Sequence, residues 1–162
     1  MAVNEGGCGC GHTRYRVTGE PVFTNNCHCT QCQHQTGSTG VVNAFFEAER
    51  VELLAGALRE NVVSTGSGGP HTICRCEACG VALWSYYPGL GRLGMGLRVG
   101  TLDHSGAFAP DAVIFTGEAM PWVAFPAGIP QFEASYRPKD ILPPERLARL
   151  MALAARRKAG EG

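Results

Sequence analysis

The chain has 162 residues, 44% of them hydrophobic, and its 14 basic and 14 acidic side chains cancel to a formal charge of zero. That length supports one domain with a real hydrophobic core that needs no disulfide staples. The charge balance argues against an electrostatic nucleic-acid binder, and no apolar run approaches a membrane span, the longest, such as 40–46, being strand-sized.

Taken in chain order, the first 135 residues read as β structure. Short runs with strand character recur between Gly, Pro and Asn punctuation, at 13–18, 22–28, 40–46, 58–64, 72–76, 82–86, 95–100 and 112–116. Helical periodicity is absent there apart from turns at 30–36 and 47–51. Twenty-two glycines and ten prolines fit many tight turns rather than long helices. No linker or low-complexity tract divides the chain. The last 26 positions differ, holding seven of the 14 basic residues: Arg137, Lys139, Arg146, Arg149, Arg156, Arg157 and Lys158. After Pro138 and the Pro143-Pro144 pair, Leu147, Leu150, Met151 and Ala154 recur at helical spacing across 145–159. Pro144 suits the first helical position and Glu145 the first turn. The spacing predicts one amphipathic C-terminal helix with a solvated basic face, docked on the domain or on a neighbouring subunit.

All eight cysteines lie in three clusters: Cys8-x-Cys10, Cys27-x-Cys29-x2-Cys32 and Cys74-x-Cys76-x2-Cys79. Thiolates two or three residues apart on a tight turn aim at one metal ion, zinc above all. Residues so close rarely reach the geometry of a mutual disulfide. Residues 1–11 carry no basic segment followed by an apolar stretch, so no secretory signal is read. The expected setting is reducing and cytoplasmic, where thiols stay available to metal and a disulfide framework is disfavoured. The second and third clusters share a C-x-C-x2-C frame. On a strand, positions i and i+2 face one side, so each C-x-C presents two sulfurs together, and Gly80 relieves the backbone where the knuckle turns. Eight sulfurs could fill two four-sulfur sites, or one four-sulfur and one three-sulfur site with Cys74 left over. Only the second arrangement leaves a coordination position open, the mark of a catalytic rather than structural zinc.

Gly7-Cys8-Gly9-Cys10-Gly11 with Arg14-Tyr15 resembles the opening of the glutathione-dependent formaldehyde-activating (GFA) family. Cys27-His28-Cys29-x2-Cys32-Gln33 with Thr36-Gly37-Ser38 is similar to its central motif, and Cys76-x2-Cys79-Gly80-x2-Leu83 to its third. Val99-Gly100-Thr101-Leu102-Asp103 and Pro121-Trp122 continue the match, which spans residues 6–133. The resemblance implies a β-tent fold, mainly β, of small antiparallel sheets around zinc, and leaves only the C-terminal helix outside it. Residues 1–136 would form the zinc-binding domain and 137–162 the basic helix and tail. It implies two zinc ions per chain, one closed by Cys8, Cys10, Cys76 and Cys79 as a structural site, the other held by Cys27, Cys29 and Cys32 as the open, catalytic site. Cys74 departs from the family pattern; it would close the second site if it reached that metal, and is otherwise a small buried side chain beside Cys76.

An open three-thiolate zinc suits thiol activation. A free thiol such as glutathione has a pKa of about 8.5, and coordination removes that proton. The resemblance thus implies a carbon–sulfur lyase of the S-(hydroxymethyl)glutathione synthase type, acting on glutathione or a similar small thiol and on formaldehyde or another aldehyde. The competing class is a non-catalytic β-tent zinc module that binds a protein partner. No nucleic-acid or membrane partner is expected, and a homodimer is compatible with the helix. The remaining polar residues are less specific. His28 points away from its neighbouring ligands, His34 either lines the pocket or is exposed, and His12, His71 and His104 read as surface residues. Gln31, Gln33 and Ser38 could bond a ligand backbone or merely satisfy the main chain. Arg14, Arg16, Arg92 and Arg98 are alternatives for anchoring glutathione's carboxylates. Trp84, Trp122 and Phe125 read as core, and the glycine-rich loop 88–94 as a lid or an ordinary long turn.

Overall fold

The computed structural model describes residues 1–64 and 69–162. Its elements run β1 (Val3–Gly7), β2 (Arg14–Thr18), β3 (Phe23–Cys27), α1 (Thr30–Thr36), β4 (Val41–Glu47), β5 (Val51–Ala55), β6 (Leu58–Ser64) and β7 (Pro70–Cys76). They continue with β8 (Ala82–Tyr86), β9 (Gly94–Arg98), β10 (Ala112–Ile114), β11 (Gln131–Phe132) and α2 (Pro144–Lys158). The protein is mainly β, as the turn-rich sequence implies. Strands β1, β2 and β5 form a three-stranded sheet, and the other eight a sheet of order β11-β10-β3-β4-β9-β8-β7-β6. The strands pair antiparallel, as expected, except that β10 pairs in parallel with both β3 and β11, and one of the two sheets is large.

Strand alternation gives the large sheet two distinct faces. Ala44, Phe46, Cys74, Trp84 and Leu97 pack against Tyr15 and Val17 of the small sheet, forming the main core. Residues on alternate positions look the other way, and the register aligns them: Asn43 opposes Arg98, and Ser85 opposes both Gly96 and Ile73. That second face carries the chemistry.

Four segments differ from the sequence reading. Residues 30–36 form a seven-residue helix rather than a turn; only Cys32 in it is buried, so no apolar stripe marks it. The Cys29 Sγ caps it by accepting from the Cys32 N–H at 3.4 Å. Strands β1, β5 and β11 are additions to the strands expected. The Gly-rich VNEGG of β1 has little intrinsic strand preference.

The C-terminal helix begins at Pro144 as expected, and its Leu153 packs with Val22 and Leu93. Its basic face is not simply solvated. Arg149 donates to the Glu47 carboxylate at 2.7 Å and 2.6 Å, and Arg146 forks onto Asp111 while also donating to the Val22 carbonyl at 2.7 Å. Arg156 reaches Glu49 and Glu161. The positive charges lock the helix to the β domain. No helix among the described residues is long and apolar enough to cross a membrane.

Candidate metal centres

The loop after β1 and the turn after β7 bring four sulfurs together. The Sγ atoms of Cys8, Cys10, Cys76 and Cys79 all lie within 4.8 Å of one another. Each knuckle is a tight turn closed by a backbone bond, Gly11 N–H to the Cys8 carbonyl at 3.1 Å and Gly80 N–H to the Cys76 carbonyl at 2.9 Å. Both glycines adopt positive φ, 77° and 76°, which a side chain would strain. The Thr13 N–H donates to the Cys8 sulfur at 3.2 Å. Burial works to raise the Cys8 pKa, but that bond and those with Cys10 and Cys76 outweigh it, lowering the thiol to about 6.

The second cluster forms where β3 runs into α1. Cys27 ends the strand, Cys29 caps the helix and Cys32 lies in its first turn, with the three sulfurs within 4.8 Å of one another. Hydrogen bonds from Cys27 and Cys32 bring the Cys29 thiol down to about 2. Cys27 is pushed up, first by Cys29 and then by Cys32 and burial. Bonding with Cys27 lowers Cys32, but Cys29 and burial outweigh it and leave the thiol at about 11. Three sulfurs this close share a single negative charge; only a cation lets all three ionise. Both donor sets fit a soft, thiolate-preferring ion.

Cys74 joins neither group. It is buried in the main core, 3.8 Å from a Glu60 oxygen, with its thiol pushed up to about 12 chiefly by burial.

A cavity of about 450 Å³ opens over the three-sulfur cluster, lined also by Asn43, His71, Tyr87, Phe115 and Glu118. The reading of His71 as a surface residue is corrected: it is 1% exposed, stacked on Tyr87 with centroids 4.3 Å apart. Burial, then the charge of Arg98, lowers its pKa to about 4, so the imidazole is neutral at pH 7. Its Nδ1 contacts the Gln35 amide at 3.3 Å and its buried Nε2 has no partner among the described residues. Glu118 clamps the start of α1, accepting from the Thr30 N–H at 2.6 Å and hydroxyl at 2.7 Å. Phe115 has φ 57°, a left-handed conformation unusual for an aromatic residue, and packs beside the cluster. No spacing signal in the sequence marks His71, Tyr87, Phe115 or Glu118; pairing and burial alone bring them in.

Other candidates fall elsewhere. His28 is buried facing away from the cluster, its Nδ1 2.8 Å from the Thr39 carbonyl and its ring edge-on to Phe125. His12, His34, His104 and Ser38 are exposed. Gln33 braces the main chain through the His28 and Glu118 carbonyls, and Gln31 donates to the Ser64 carbonyl. Trp84 is core, whereas Trp122, expected there, is 74% exposed. The loop 88–94 is tied to the sheet by the Arg92–Glu60 pair. Arg14 and Arg16 are likewise engaged with Asp103, Glu5 and Glu52. Among the four arginines read as anchors, Arg98 alone meets no carboxylate.

The profile described as "Glutathione-dependent formaldehyde-activating enzyme" matches residues 3–118. The chain belongs to this family. A solved structure of a Rhodobacter sphaeroides protein is similar to it, with 15% sequence identity, a TM-score of 0.49, and coverage of 79% of this chain and 98% of that one. No curated protein matches. For this family member, two cysteine groups able to hold metal ions are thus in place, one of four sulfurs and one of three.

Proposed function

We propose that this protein is a zinc-dependent carbon–sulfur lyase that interconverts a small thiol plus an aldehyde with their S-hydroxymethyl adduct, with glutathione and formaldehyde as the reference pair. Family membership supports the reaction class. The observation that carries it here is the unequal pair of clusters. Among the described residues only three metal-ligating side chains converge beneath the 450 Å³ cavity, while four converge at the other site.

Cys8, Cys10, Cys76 and Cys79 would hold a structural zinc, and Cys27, Cys29 and Cys32 a catalytic one. Zinc bound there would supply the Lewis acidity that lowers the pKa of a substrate thiol, about 8.5 when free, so that its proton is lost to solvent. The protein's own residues do the rest. The Cys29 cap and the Glu118 clamp fix the angle at which α1 presents Cys32 to the cavity. The apolar walls, Phe115 and Ile114 among them, limit water around the sulfur. Neutral His71 and the Tyr87 phenol, which burial keeps protonated, line the cavity and would hydrogen-bond the aldehyde oxygen as the thiolate sulfur bonds to carbon; that oxygen would take its proton from the Tyr87 phenol, which is reprotonated by the proton the thiol released. In reverse, the hydroxyl loses its proton and the C–S bond breaks.

Two-dimensional exchange NMR of glutathione, formaldehyde and their adduct at neutral pH tests this. Wild-type protein should accelerate exchange well beyond the zinc-free protein and Cys32→Ser. Equal rates for wild type and Cys32→Ser across small thiols and aldehydes would leave the partner-binding zinc module as the better reading.

A further inference from the structure

A second cavity, about 730 Å³, opens at the end of the large sheet where β9 ends and β4 and β8 begin. Gln35 and Arg98 line it, and their partners His71 and Asn43 line the cysteine cavity, so the two spaces share a wall. The second cavity is larger than the first, yet the thiol chemistry leaves it without a role.

Its charge is unusual for this chain. Eight arginines, including Arg14, Arg92, Arg146 and Arg149, reach a carboxylate. The two that line this cavity do not. Arg75 donates to the Gly80 carbonyl at 3.0 Å. Arg98 is 4% exposed and bonds only neutral groups, the Asn43 and Gln35 amide oxygens and the Ser85 hydroxyl, leaving its buried Nε unpartnered. No aspartate or glutamate lines the space among the described residues; its one acidic side chain is Cys79, whose sulfur belongs to the four-sulfur cluster. Strand pairing worsens the imbalance, because Arg59 on β6 stands directly opposite Arg75 on β7, and like charges so placed repel. A buried guanidinium with an orphan donor, beside a second cation and with the only acidic side chain committed to the sulfur cluster, is a site short of an anion.

The remaining walls say which anion. Val42, Val81, Val99 and Phe108 supply apolar surface, and the Ser105 hydroxyl lies at the lining. An inorganic ion needs neither that volume nor that apolar wall, whereas a planar carboxylate matches the guanidinium fork and its carbon chain matches the valines. We propose that this cavity binds an organic carboxylate, held by Arg75 and Arg98 with its hydrocarbon part against Val42, Val99 and Phe108. The carboxylate has two candidate sources: the tail of the thiol held at Cys27, Cys29 and Cys32, or a separate molecule. The site rests on its arginines; only the first source rests on the thiol reading.

Isothermal titration calorimetry on the zinc-loaded full chain at low salt, with glutathione, S-methylglutathione, succinate and inorganic phosphate as probes, tests the assignment. At least one of S-methylglutathione and succinate should bind, and Arg75→Gln should weaken that binding about tenfold or more, the loss expected for a charge-assisted bond. Lys139→Gln, remote from the lining, should leave it unchanged, and circular dichroism melts should show Arg75→Gln folded. Arg75-dependent glutathione binding much tighter than that of S-methylglutathione assigns the thiol's own tail; equal affinities assign a separate carboxylate. The proposal is overturned if neither of these thiol-free carboxylates binds, if Arg75→Gln binds like wild type, or if phosphate binds more tightly than succinate. Those outcomes are independent of the NMR exchange comparison, so the anion site and the lyase reading can fail separately.

Discussion

The Sγ atoms of Cys10 and Cys76, 66 residues apart in the chain, lie 3.9 Å from each other. They join the loop after β1 to the end of β7, so a metal shared there closes a long loop and links the two sheets. Binding free energy at a closed thiolate site is folding free energy. Cys8→Ser and Cys79→Ser should therefore lower the melting temperature by about 10 °C or more, or leave little soluble protein. Thermal melts of the purified variants check this.

Elemental analysis of protein purified without chelator should find two zinc ions per chain. Cys29→Ser should retain one zinc and stay folded, because its cluster ties together only neighbouring residues of β3 and α1. If Cys29→Ser melts as low as Cys79→Ser, the division into one structural and one open site is wrong. A red protein would indicate iron at the four-sulfur site.

Glu47 sets an acid limit on stability. Its burial raises the carboxyl pKa, but the bonds from Arg149 and the charge of Arg50 outweigh that and hold it below its ordinary value of 4.5. A depressed folded pKa means that the stabilisation is present above 4.5 and is lost as pH falls through the folded value. Glu47→Gln should cost about 1–3 kcal/mol at neutral pH. The gap in melting temperature between variant and wild type should narrow below that pH. A constant gap would show that Glu47 acts through packing alone.

Gly40 guards the second cluster sterically. A Cβ there would sit 2.7 Å from His28 Nδ1 and 2.8 Å from the Cys27 carbonyl oxygen. The carbonyl is held in the β3 ladder and cannot retreat. Gly40→Ala should destabilise by about 1–3 kcal/mol and lower zinc occupancy to nearer one than two. Zinc content and melts on the same preparation read both effects.

The cysteine spacings alone make the clusters legible, because local turns decide them. The C-terminal helix is legible too, from Pro144 and the leucine spacing. Most of the long strands fall within a few residues of their expected places, since Gly, Pro and Asn bound them. What stays hidden depends on contacts distant in sequence. His71 reads as an ordinary turn residue until β7 pairs with β8 and buries it against Tyr87. Arg75, flanked by cysteines, carries no signal of its own. The basic residues of α2 look solvated until Glu47 and Asp111, far back in the chain, come to meet them. Trp122 shows the reverse error, an aromatic residue whose composition suggests core and whose loop leaves it in solvent.

Strand β7 is occupied on both sides. Cys74 and Cys76 face the core and the four-sulfur cluster, while His71 and Arg75 face the two cavities. Sliding its pairing by one residue would invert every assignment, carrying Cys76 away from Cys8 and setting a guanidinium in the core. A metal held by those four sulfurs would therefore fix the register of His71 and Arg75 as well as closing its own loop, and Cys79 itself lies in the lining of the larger cavity.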